Sequence, residues 1–282
     1  MKKILVTGAT GFIGNHVVGL LAQQYQVIAT GAHESKARKK SWYQQVQFIP
    51  FNLADYDASA DYFNYFQEPD HVIHLAWEGL PNYQAAFHVD TNLPRHYQFL
   101  SNLIKHGAKD LTVTGTCLEY GMQEGALTET MPVFPTNPYA IAKNSLRKSL
   151  EELQHQSPFT LKWLRLFYMY GQGQHPQSLV SQLDAAIASG QDAFNMSGGE
   201  QVRDFLPVER VAEYIVNIAL QPEVTGVINV SSNQPVTVKQ FVEEYLFNHG
   251  APMKLNTGVY PYPMYEPMRF WGENARLLSL NT

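Results

Sequence analysis

The sequence predicts an α/β fold with a doubly wound parallel sheet and a small C-terminal lobe. Apolar, strand-like runs lie at residues 4–6, 26–30, 71–76, 111–114 and 161–167. A helical spacing of apolar residues follows the first run, so that the first two runs and the helix form a βαβ unit. Strands that alternate with helices are typical of a parallel sheet that is covered on both faces.

The first run leads into a turn with three glycines, Gly8, Gly11 and Gly14, spaced three residues apart. Gly8 lets the chain turn with unusual dihedral angles, Gly11 lets the backbone approach a phosphate, and Gly14 lets the following helix lie close to the sheet. The start of that helix supplies unpaired N–H donors. The sequence therefore predicts a dinucleotide site at this turn.

Residues 7–14, Thr-Gly-Ala-Thr-Gly-Phe-Ile-Gly, resemble the signature of the extended short-chain dehydrogenase/reductases, the family of nucleotide-sugar epimerases, dehydratases and reductases. The resemblance implies a Rossmann-type NAD(P)-binding domain over residues 1–170, to which residues 203–230 return. Residues 171–202 and 231–282 would form the substrate-binding lobe. The cofactor contacts that we expect on this basis are Gly8, Thr10, Gly11, Phe12, Ile13, Gly14, His33, Ser35, Lys36, Asn52, Leu53, Leu75, Ala76, Asn92 and Lys143.

Composition narrows the function classes. The chain has 282 residues, 45% of them hydrophobic, and a formal charge of −5, which gives no basic surface for nucleic acid. No run approaches the roughly 18 apolar residues of a membrane span, and Thr7 interrupts the apolar N-terminus, so we expect neither a membrane partner nor a signal peptide. Cys117 is the single cysteine, which excludes an intramolecular disulfide and suits a reducing cytoplasm.

Residues 30–40 decide the expected cofactor. NAD enzymes usually place Asp or Glu at the end of the second strand, whereas Thr30 and Gly31 carry no acid. Four basic residues follow between positions 36 and 40, and they favour NADP(H), with NAD possible. The alternative is that this basic run, which also contains Glu34, is only a solvated loop or helix start.

Several residues along the next strands match the family with small departures. Asn52 stands before Leu53 where the family has Asp-Leu beside the adenine, and it keeps an acceptor. Ala76 ends the strand that passes under the cofactor. We expect His74, within that strand, to have a structural role with backbone partners, and Asn92 to cap the following helix.

The catalytic candidates are Thr116, Tyr139 and Lys143. Residues 115–121 are similar to the family's Ser-Ser-x-x-x-Tyr-Gly, and alignment on Tyr120 places Thr116 on the catalytic Ser/Thr. Tyr139 and Lys143 lie four residues apart on a helix that begins near Pro138, so they share one face. The resemblance implies that Tyr139 exchanges a proton with the substrate oxygen and that Thr116 binds this oxygen. Lys143 would lower the pKa of Tyr139 and contact the nicotinamide ribose.

The expected substrate contacts are Thr116, Cys117, Tyr168 and Arg203. Tyr168 replaces an Asn that commonly touches the sugar diphosphate in this family, and Arg203 belongs to an Arg-Asp-Phe segment whose Arg commonly faces the substrate phosphates. The tail at residues 260–272 is rich in aromatic residues and prolines. It either lines the nucleotide or sugar pocket or mediates oligomer contacts, and a homodimer is expected. No metal ligand is assigned.

The residues after Thr116 favour simple ketone reduction. Family members that are 4,6-dehydratases carry Asp-Glu there, whereas this chain has Cys117 and Leu118. The 3,5-epimerase/reductases use a Cys that aligns with Leu118. Because one residue in a strand-end loop reverses the side-chain direction, we expect Cys117 to be a small buried hydrophobe.

The sequence therefore predicts NADP(H)-dependent reduction of a nucleotide-linked 4-keto-6-deoxy sugar to the 4-hydroxy sugar. The alternative is an NAD(P)-dependent nucleotide-sugar 4-epimerase. A non-catalytic, cofactor-sensing protein of the same fold is less favoured, because such proteins usually lose the Tyr or the Lys.

Overall fold

The computed structural model describes residues 1–281. In this part of the chain the strands are β1 (Lys3–Thr7), β2 (Gln26–Gly31), β3 (Gln47–Pro50), β4 (His71–His74), β5 (Asp110–Thr116), β6 (Gly125–Leu127), β7 (Thr160–Leu166), β8 (Tyr168–Tyr170), β9 (Ala193–Asn195), β10 (Val202–Pro207), β11 (Gly226–Val230), β12 (Pro235–Thr237), β13 (Lys254–Asn256) and β14 (Phe270–Gly272). The α-helices are α1 (Phe12–Leu21), α2 (Glu34–Ala37), α3 (Tyr62–Tyr65), α4 (Leu93–His106), α5 (Pro138–Gln156), α6 (Leu179–Ala188), α7 (Val208–Leu220), α8 (Val238–Asn248) and α9 (Ala275–Leu278).

Seven parallel strands form the main sheet in the order β11-β7-β5-β4-β1-β2-β3. The strand order reverses at β1, so the connections from β1 and from β4 leave in opposite directions. Ligands of such sheets bind in the crevice at the carboxyl ends of the strands beside this reversal. The predicted α/β, Rossmann-type, doubly wound sheet is confirmed.

Strand β1 shows how the sequence covers both faces of this sheet. Its side chains alternate, so Ile4 and Val6 pack into the core under α1 and α7, whereas Leu5 packs into the core under α4 and α5. The strand therefore reads as a continuous apolar run rather than an alternating one, because neither face meets water.

Smaller sheets lie outside this layer, in the orders β12-β10-β8, β13-β9 and β14-β6. A separate core of buried residues, with Leu183, Phe194 and Val242 among its members, joins α6, β9 and α8. Strand β14 of the tail pairs with β6, with Phe270 opposite Gly125. The domain division that we expect from the sequence stays a prediction. Within residues 1–281, no helix has the length and apolar character needed to cross a membrane.

The expected cap of α4 is wrong. Residues His88–Asn92 form a π-helical turn that runs directly into the helix, so Asn92 already has helical dihedral angles and its side chain caps nothing. Its amide Nδ2 instead donates a hydrogen bond of 3.0 Å to the Glu78 carbonyl. A local sequence pattern does not distinguish a true helix start from one that another helical turn precedes.

Candidate active site

The glycine turn between β1 and α1 packs closely against the backbone that follows β4 and against the start of α1. Gly8 has a φ of +68°, and a Cβ on it would lie 2.7 Å from the backbone N of Ala76. A Cβ on Gly14 would lie 2.2 Å from the carbonyl oxygen of Gly8. Helix α1 begins at Phe12 with its first N–H groups directed towards this turn. The residues present therefore fit the diphosphate of a dinucleotide.

A cavity of about 640 Å³ extends from this turn along the carboxyl edge of the sheet. The expected cofactor residues that border it are Gly8, Gly11, Phe12, Ile13, Gly14, Leu75 and Lys143. The others lie away from its lining in this structure. His33, Ser35 and Lys36 are exposed around the start of α2, Asn52 accepts a hydrogen bond of 3.0 Å from the backbone N of Ala54, and Ala76 donates to the Thr7 hydroxyl at 3.3 Å.

Thr116, Tyr139 and Lys143 come together on one side of this cavity. Thr116 is the last residue of β5, and the other two lie on the first turns of α5, where the Asn137 side chain caps the helix by accepting from Ala140 N at 2.9 Å. All three residues are buried, and the Thr116 side chain interacts with the phenol of Tyr139. The structure thus brings together residues that are up to 27 positions apart.

Lys143 lies deep in the pocket. Its Nζ donates a hydrogen bond of 2.8 Å to the Thr114 carbonyl and lies 4.0 Å from the centre of the Trp77 ring. Burial lowers the pKa of this ammonium to about 7, while the negative charge of Glu119 opposes the shift.

Burial acts on Tyr139 in the other direction, because the charged form of a tyrosine is its phenolate. Desolvation raises the pKa of Tyr139. The negative charges of Tyr83, Glu119 and Cys117 raise this pKa further, and the interaction with the Thr116 side chain opposes the shift. Burial therefore sets the direction of the shift in this structure, and the lowering of the Tyr139 pKa by Lys143 that the resemblance implies stays a prediction.

A buried carboxylate fixes the loop behind Thr116. Glu119 has no exposed surface, and its Oε1 accepts hydrogen bonds from Thr116 N at 3.0 Å and from Trp163 Nε1 at 2.9 Å. Its Oε2 accepts from Arg165 Nε at 3.0 Å. A Cβ on Gly115 would lie 2.2 Å from Trp163 Nε1 and 2.4 Å from Glu119 Oε1, so only glycine fits there.

Buried imidazoles support the floor of the site. His74 Nδ1 lies 2.9 Å from the Thr7 hydroxyl and its Nε2 lies 2.7 Å from His96 Nδ1. Burial lowers the pKa of His74 to about 3, and the positive charge of Lys143 lowers it further. The Trp77 ring stacks on His96 at 4.5 Å. The expected backbone partners of His74 are wrong, since its partners are side chains.

Cys117 borders the cavity, as does Leu118. Residues Cys117–Tyr120 form a 3₁₀-helical turn, in which successive side chains rotate by about 120° rather than reversing as they do in an extended strand. The premise that one residue reverses the side-chain direction is therefore wrong, but the prediction that Cys117 is a small buried hydrophobe is confirmed, because it packs in an apolar cluster with Leu118 and Tyr120. Burial raises the pKa of its thiol, and the negative charge of Glu266 adds to the shift.

Another part of the cavity lining is formed by Tyr168, Arg203 and Glu266 of the tail. Arg203 Nη2 donates a hydrogen bond of 3.1 Å to Glu266 Oε2, and its Nη1 donates to the Met268 carbonyl at 3.1 Å. Its guanidinium carbon lies 4.4 Å from the centre of the Phe270 ring. Glu266 of the tail thus borders the cavity, in keeping with the first of the two roles that the sequence left open, while a role in oligomer contacts stays a prediction.

Three residues of this site were missed by the sequence analysis: Trp77, Glu119 and Glu266. An acid between Leu118 and Tyr120, at the end of an apolar strand, was a usable signal for Glu119. Nothing local distinguishes Glu266 from a solvated residue of a proline-rich tail. In residues 1–281, no group of three or more His, Cys, Asp or Glu side chains is arranged to bind a metal ion.

Residues 4–231 match the sequence model of the NAD dependent epimerase/dehydratase family. A relative from Aggregatibacter actinomycetemcomitans, "dTDP-6-deoxy-L-talose 4-dehydrogenase (NAD(+))", is 30% identical over 277 residues, which cover 96% of this chain and 99% of the relative. A relative from Arabidopsis thaliana, "Putative UDP-arabinose 4-epimerase 2", is 26% identical over 291 residues, which cover 91% of this chain and 70% of the relative.

Solved structures also match the whole fold. The UDP-N-acetylglucosamine 4-epimerase from Methanobrevibacter ruminantium, in complex with UDP-N-acetylmuramic acid, superposes with a TM-score of 0.86 at 22% identity, covering 100% of this chain and 92% of its own. The UDP-glucuronic acid 4-epimerase from Bacillus cereus, in complex with UDP-glucuronic acid and NAD, superposes with a TM-score of 0.85 at 23% identity, covering 99% of this chain and 92% of its own. At these identities the likeness shows a shared fold.

Proposed function

Because the chain belongs to the NAD-dependent epimerase/dehydratase family, we propose that it oxidises or reduces carbon 4 of a nucleotide-linked sugar with NAD(P) as cofactor. The observation that carries this proposal is the meeting of Thr116, Tyr139 and Lys143 in one buried pocket that continues to the glycine turn. The nicotinamide, when bound, supplies or accepts the hydride.

We assign the proton transfer to Tyr139. Its phenol borders the same cavity as the Thr116 hydroxyl, so a substrate oxygen that reaches both side chains would meet a proton donor and a second hydroxyl that fixes its orientation. Lys143, with a pKa of about 7, places a titratable positive charge in the same pocket. Glu119 favours the charged form of Lys143 and orients the backbone of Thr116.

Two net reactions begin in this way. The relative named as a 4-dehydrogenase of a dTDP-6-deoxy sugar supports net oxidoreduction, since removal of hydrogen at carbon 4 is the reverse of 4-ketone reduction. The family description and the relative named as a UDP-arabinose 4-epimerase support a 4-epimerase at least as well. A cofactor-sensing protein without activity is disfavoured, because the three catalytic candidates are intact.

The preference between NADP(H) and NAD(H) is also a proposal. The basic residues after Gly31 favour NADP(H). Arg38, however, is paired with Glu34 at 2.8 Å, which removes part of the positive charge from this run, and the name of the 4-dehydrogenase relative specifies NAD(+). A nucleotide-diphosphate sugar as substrate, a homodimer, a cytoplasmic location and the absence of nucleic acid and membrane partners stay predictions of the sequence.

A stoichiometry experiment tests the proposed function. The purified protein is incubated with dTDP- or UDP-linked 4-keto-6-deoxy sugars and either reduced cofactor, and separately with UDP- and dTDP-linked hexoses and pentoses. One reduced cofactor oxidised per product identifies a reductase. Interconversion of two nucleotide sugars at constant absorbance of the reduced cofactor identifies a 4-epimerase. Turnover at a carbon other than carbon 4, or none with any nucleotide sugar, contradicts the proposal.

A further inference from the structure

The tail segment that carries Glu266 has a fixed position beside the cavity. Val202 N donates a hydrogen bond of 2.9 Å to the Met268 carbonyl, and Gly125 N donates one of 2.8 Å to the Arg269 carbonyl. The neighbouring strand β14 pairs with β6. These contacts begin two residues beyond Glu266, so its carboxylate is placed by the fold rather than by a freely moving chain end.

Glu266 borders the same cavity as the catalytic candidates. Its negative charge raises the pKa of Cys117, of Tyr83 and of Tyr168, so it acts on side chains of three different segments. The Tyr83 ring lies 5.5 Å from the ring of Tyr139, between centres, and 6.0 Å from that of the residue that precedes Glu266. Arg203, the ion-pair partner of Glu266, lies over the Phe270 ring, and Phe270 packs in the same apolar cluster as Tyr139. Glu266 therefore borders the part of the cavity that contains the catalytic candidates.

The ion pair with Arg203 leaves no free positive charge near Glu266. The side chains of Arg203 and Glu266 are only 4% and 10% exposed, and the guanidinium also donates to the carbonyls of Val202 and Met268. Among the described residues around the cavity, Lys143 is the other Lys or Arg, and its ammonium is bound to the Thr114 carbonyl. The guanidinium is engaged by Glu266 and by the two carbonyls, so a ligand carboxylate beside Glu266 would meet a like charge and find the counter-ion already taken.

We infer that Glu266 makes the sugar end of this cavity selective for neutral nucleotide-linked sugars over sugars that carry a carboxylate. A neutral sugar offers hydroxyl donors, which an ionised carboxylate accepts in strong, charge-assisted hydrogen bonds. A uronate instead brings a like charge beside Glu266, and juxtaposed like charges are an effective way to exclude a ligand. This inference rests on the proposed function, since it assumes that a nucleotide sugar binds here.

Calorimetric titration with two matched pairs of probes tests it: UDP-glucose against UDP-glucuronic acid, and dTDP-glucose against dTDP-glucuronic acid, each with oxidised cofactor present. We expect the native protein to bind the neutral member at least about tenfold more tightly. In Glu266→Gln, whose amide oxygen can still accept from Arg203, the uronate no longer meets a like charge and can pair with the guanidinium. The difference should then fall below about threefold or invert.

Two further variants separate charge from damage to the fold. Glu266→Asp keeps the charge and should keep the discrimination. Glu213→Gln removes the carboxylate of the exposed Arg210–Glu213 pair on α7 and should leave both affinities unchanged. Thermal unfolding of each variant identifies a loss of structure, which would lower the affinity for both members of a pair alike.

The contrary outcomes are distinct. If the native protein binds the uronate as tightly as the neutral sugar, or if Glu266→Gln keeps the full tenfold difference, the inference on Glu266 is wrong while the proposed function stands. If no nucleotide hexose or hexuronate binds to the native protein in the presence of cofactor, the proposed function is wrong and the inference is wrong with it.

Discussion

Two sides of one cavity are built in different ways. The catalytic wall, formed by Thr116, Tyr139 and Lys143, stands on β5 and α5, and buried groups such as Glu119 hold it from behind. The tail wall, formed by Arg203 and residues 266–270, depends on an ion pair and on hydrogen bonds to the short strands β10 and β6. A wall fixed by the main sheet can keep catalytic atoms in place, while a wall fixed by short strands outside it can change its chemistry without disturbing the main sheet.

The largest expected effect is on the catalytic wall. Tyr139→Phe removes one hydroxyl and should lower turnover by roughly 10²–10⁴-fold, because a placed proton donor contributes about that much. Cofactor affinity should stay nearly unchanged, since the ring still fills its place. Steady-state kinetics and calorimetric titration with the cofactor measure the two quantities. Activity within about threefold of the native protein would remove Tyr139 from the catalytic assignment.

The next effect is on stability. Glu119→Gln leaves the buried Arg165 without a charged partner, which should lower the free energy of unfolding by about 3–5 kcal/mol. Glu243→Gln, in an exposed pair with Lys239, is the matched control and should cost about 1 kcal/mol or less. Urea unfolding compares the two variants. If Glu119→Gln were as mild as its control, the catalytic wall would not depend on this carboxylate.

The next effect is on the pH dependence of stability, through the buried His74 beneath the catalytic wall. Burial lowers the pKa of His74 in the folded chain to about 3, from an ordinary value of 6.5, so below pH 6.5 the unfolded chain binds a proton that the folded chain does not. The contribution of neutral His74 to the free energy of unfolding is fully present above pH 6.5. It falls by about 1.4 kcal/mol for each pH unit as the pH decreases towards 3. Urea unfolding of the native protein between about pH 7 and pH 5 should show this dependence of the free energy of unfolding on pH. In His74→Asn the slope should be less steep by up to about 1.4 kcal/mol per pH unit. An unchanged slope in the variant would contradict it.

The smallest effect concerns the expected 2′-phosphate site around α2, which lies outside both walls. If Lys36 contacts a 2′-phosphate, Lys36→Ala should weaken NADP(H) binding by up to about fivefold, because an exposed ion pair contributes at most about 1 kcal/mol, and should leave NAD(H) binding unchanged. Lys254→Ala, an exposed lysine on β13, is the control. Tighter binding of NAD(H) than of NADP(H) by the native protein would show that the basic run is only solvated.

The sequence was informative where the structure depends on local pattern. Apolar runs and glycine spacing predict the sheet and its first turn, and Tyr139 and Lys143 share a face because a helix brings every fourth residue round. It was misleading where backbone geometry changes over one turn, as at Cys117 in a 3₁₀ turn and at Asn92 in a π turn.

Long-range pairing explains the rest. Arg203 and Glu266 are 63 residues apart, and no periodicity links them. The pKa of Tyr139 depends on burial by groups from several segments, which a helical motif does not contain. Motif spacing therefore predicts which residues meet at the catalytic wall, but not the dielectric environment in which they meet.

The space beside Gly115 limits the order in which this site can diverge. A side chain there would overlap both Trp163 and the carboxylate of Glu119. A lineage that acquires serine at position 115 must therefore first lose or shorten both Trp163 and Glu119, and a lineage that acquires these two side chains must already have glycine. The three positions are epistatic, so a mutation at one of them does not have the same fitness effect alone as in the presence of the others.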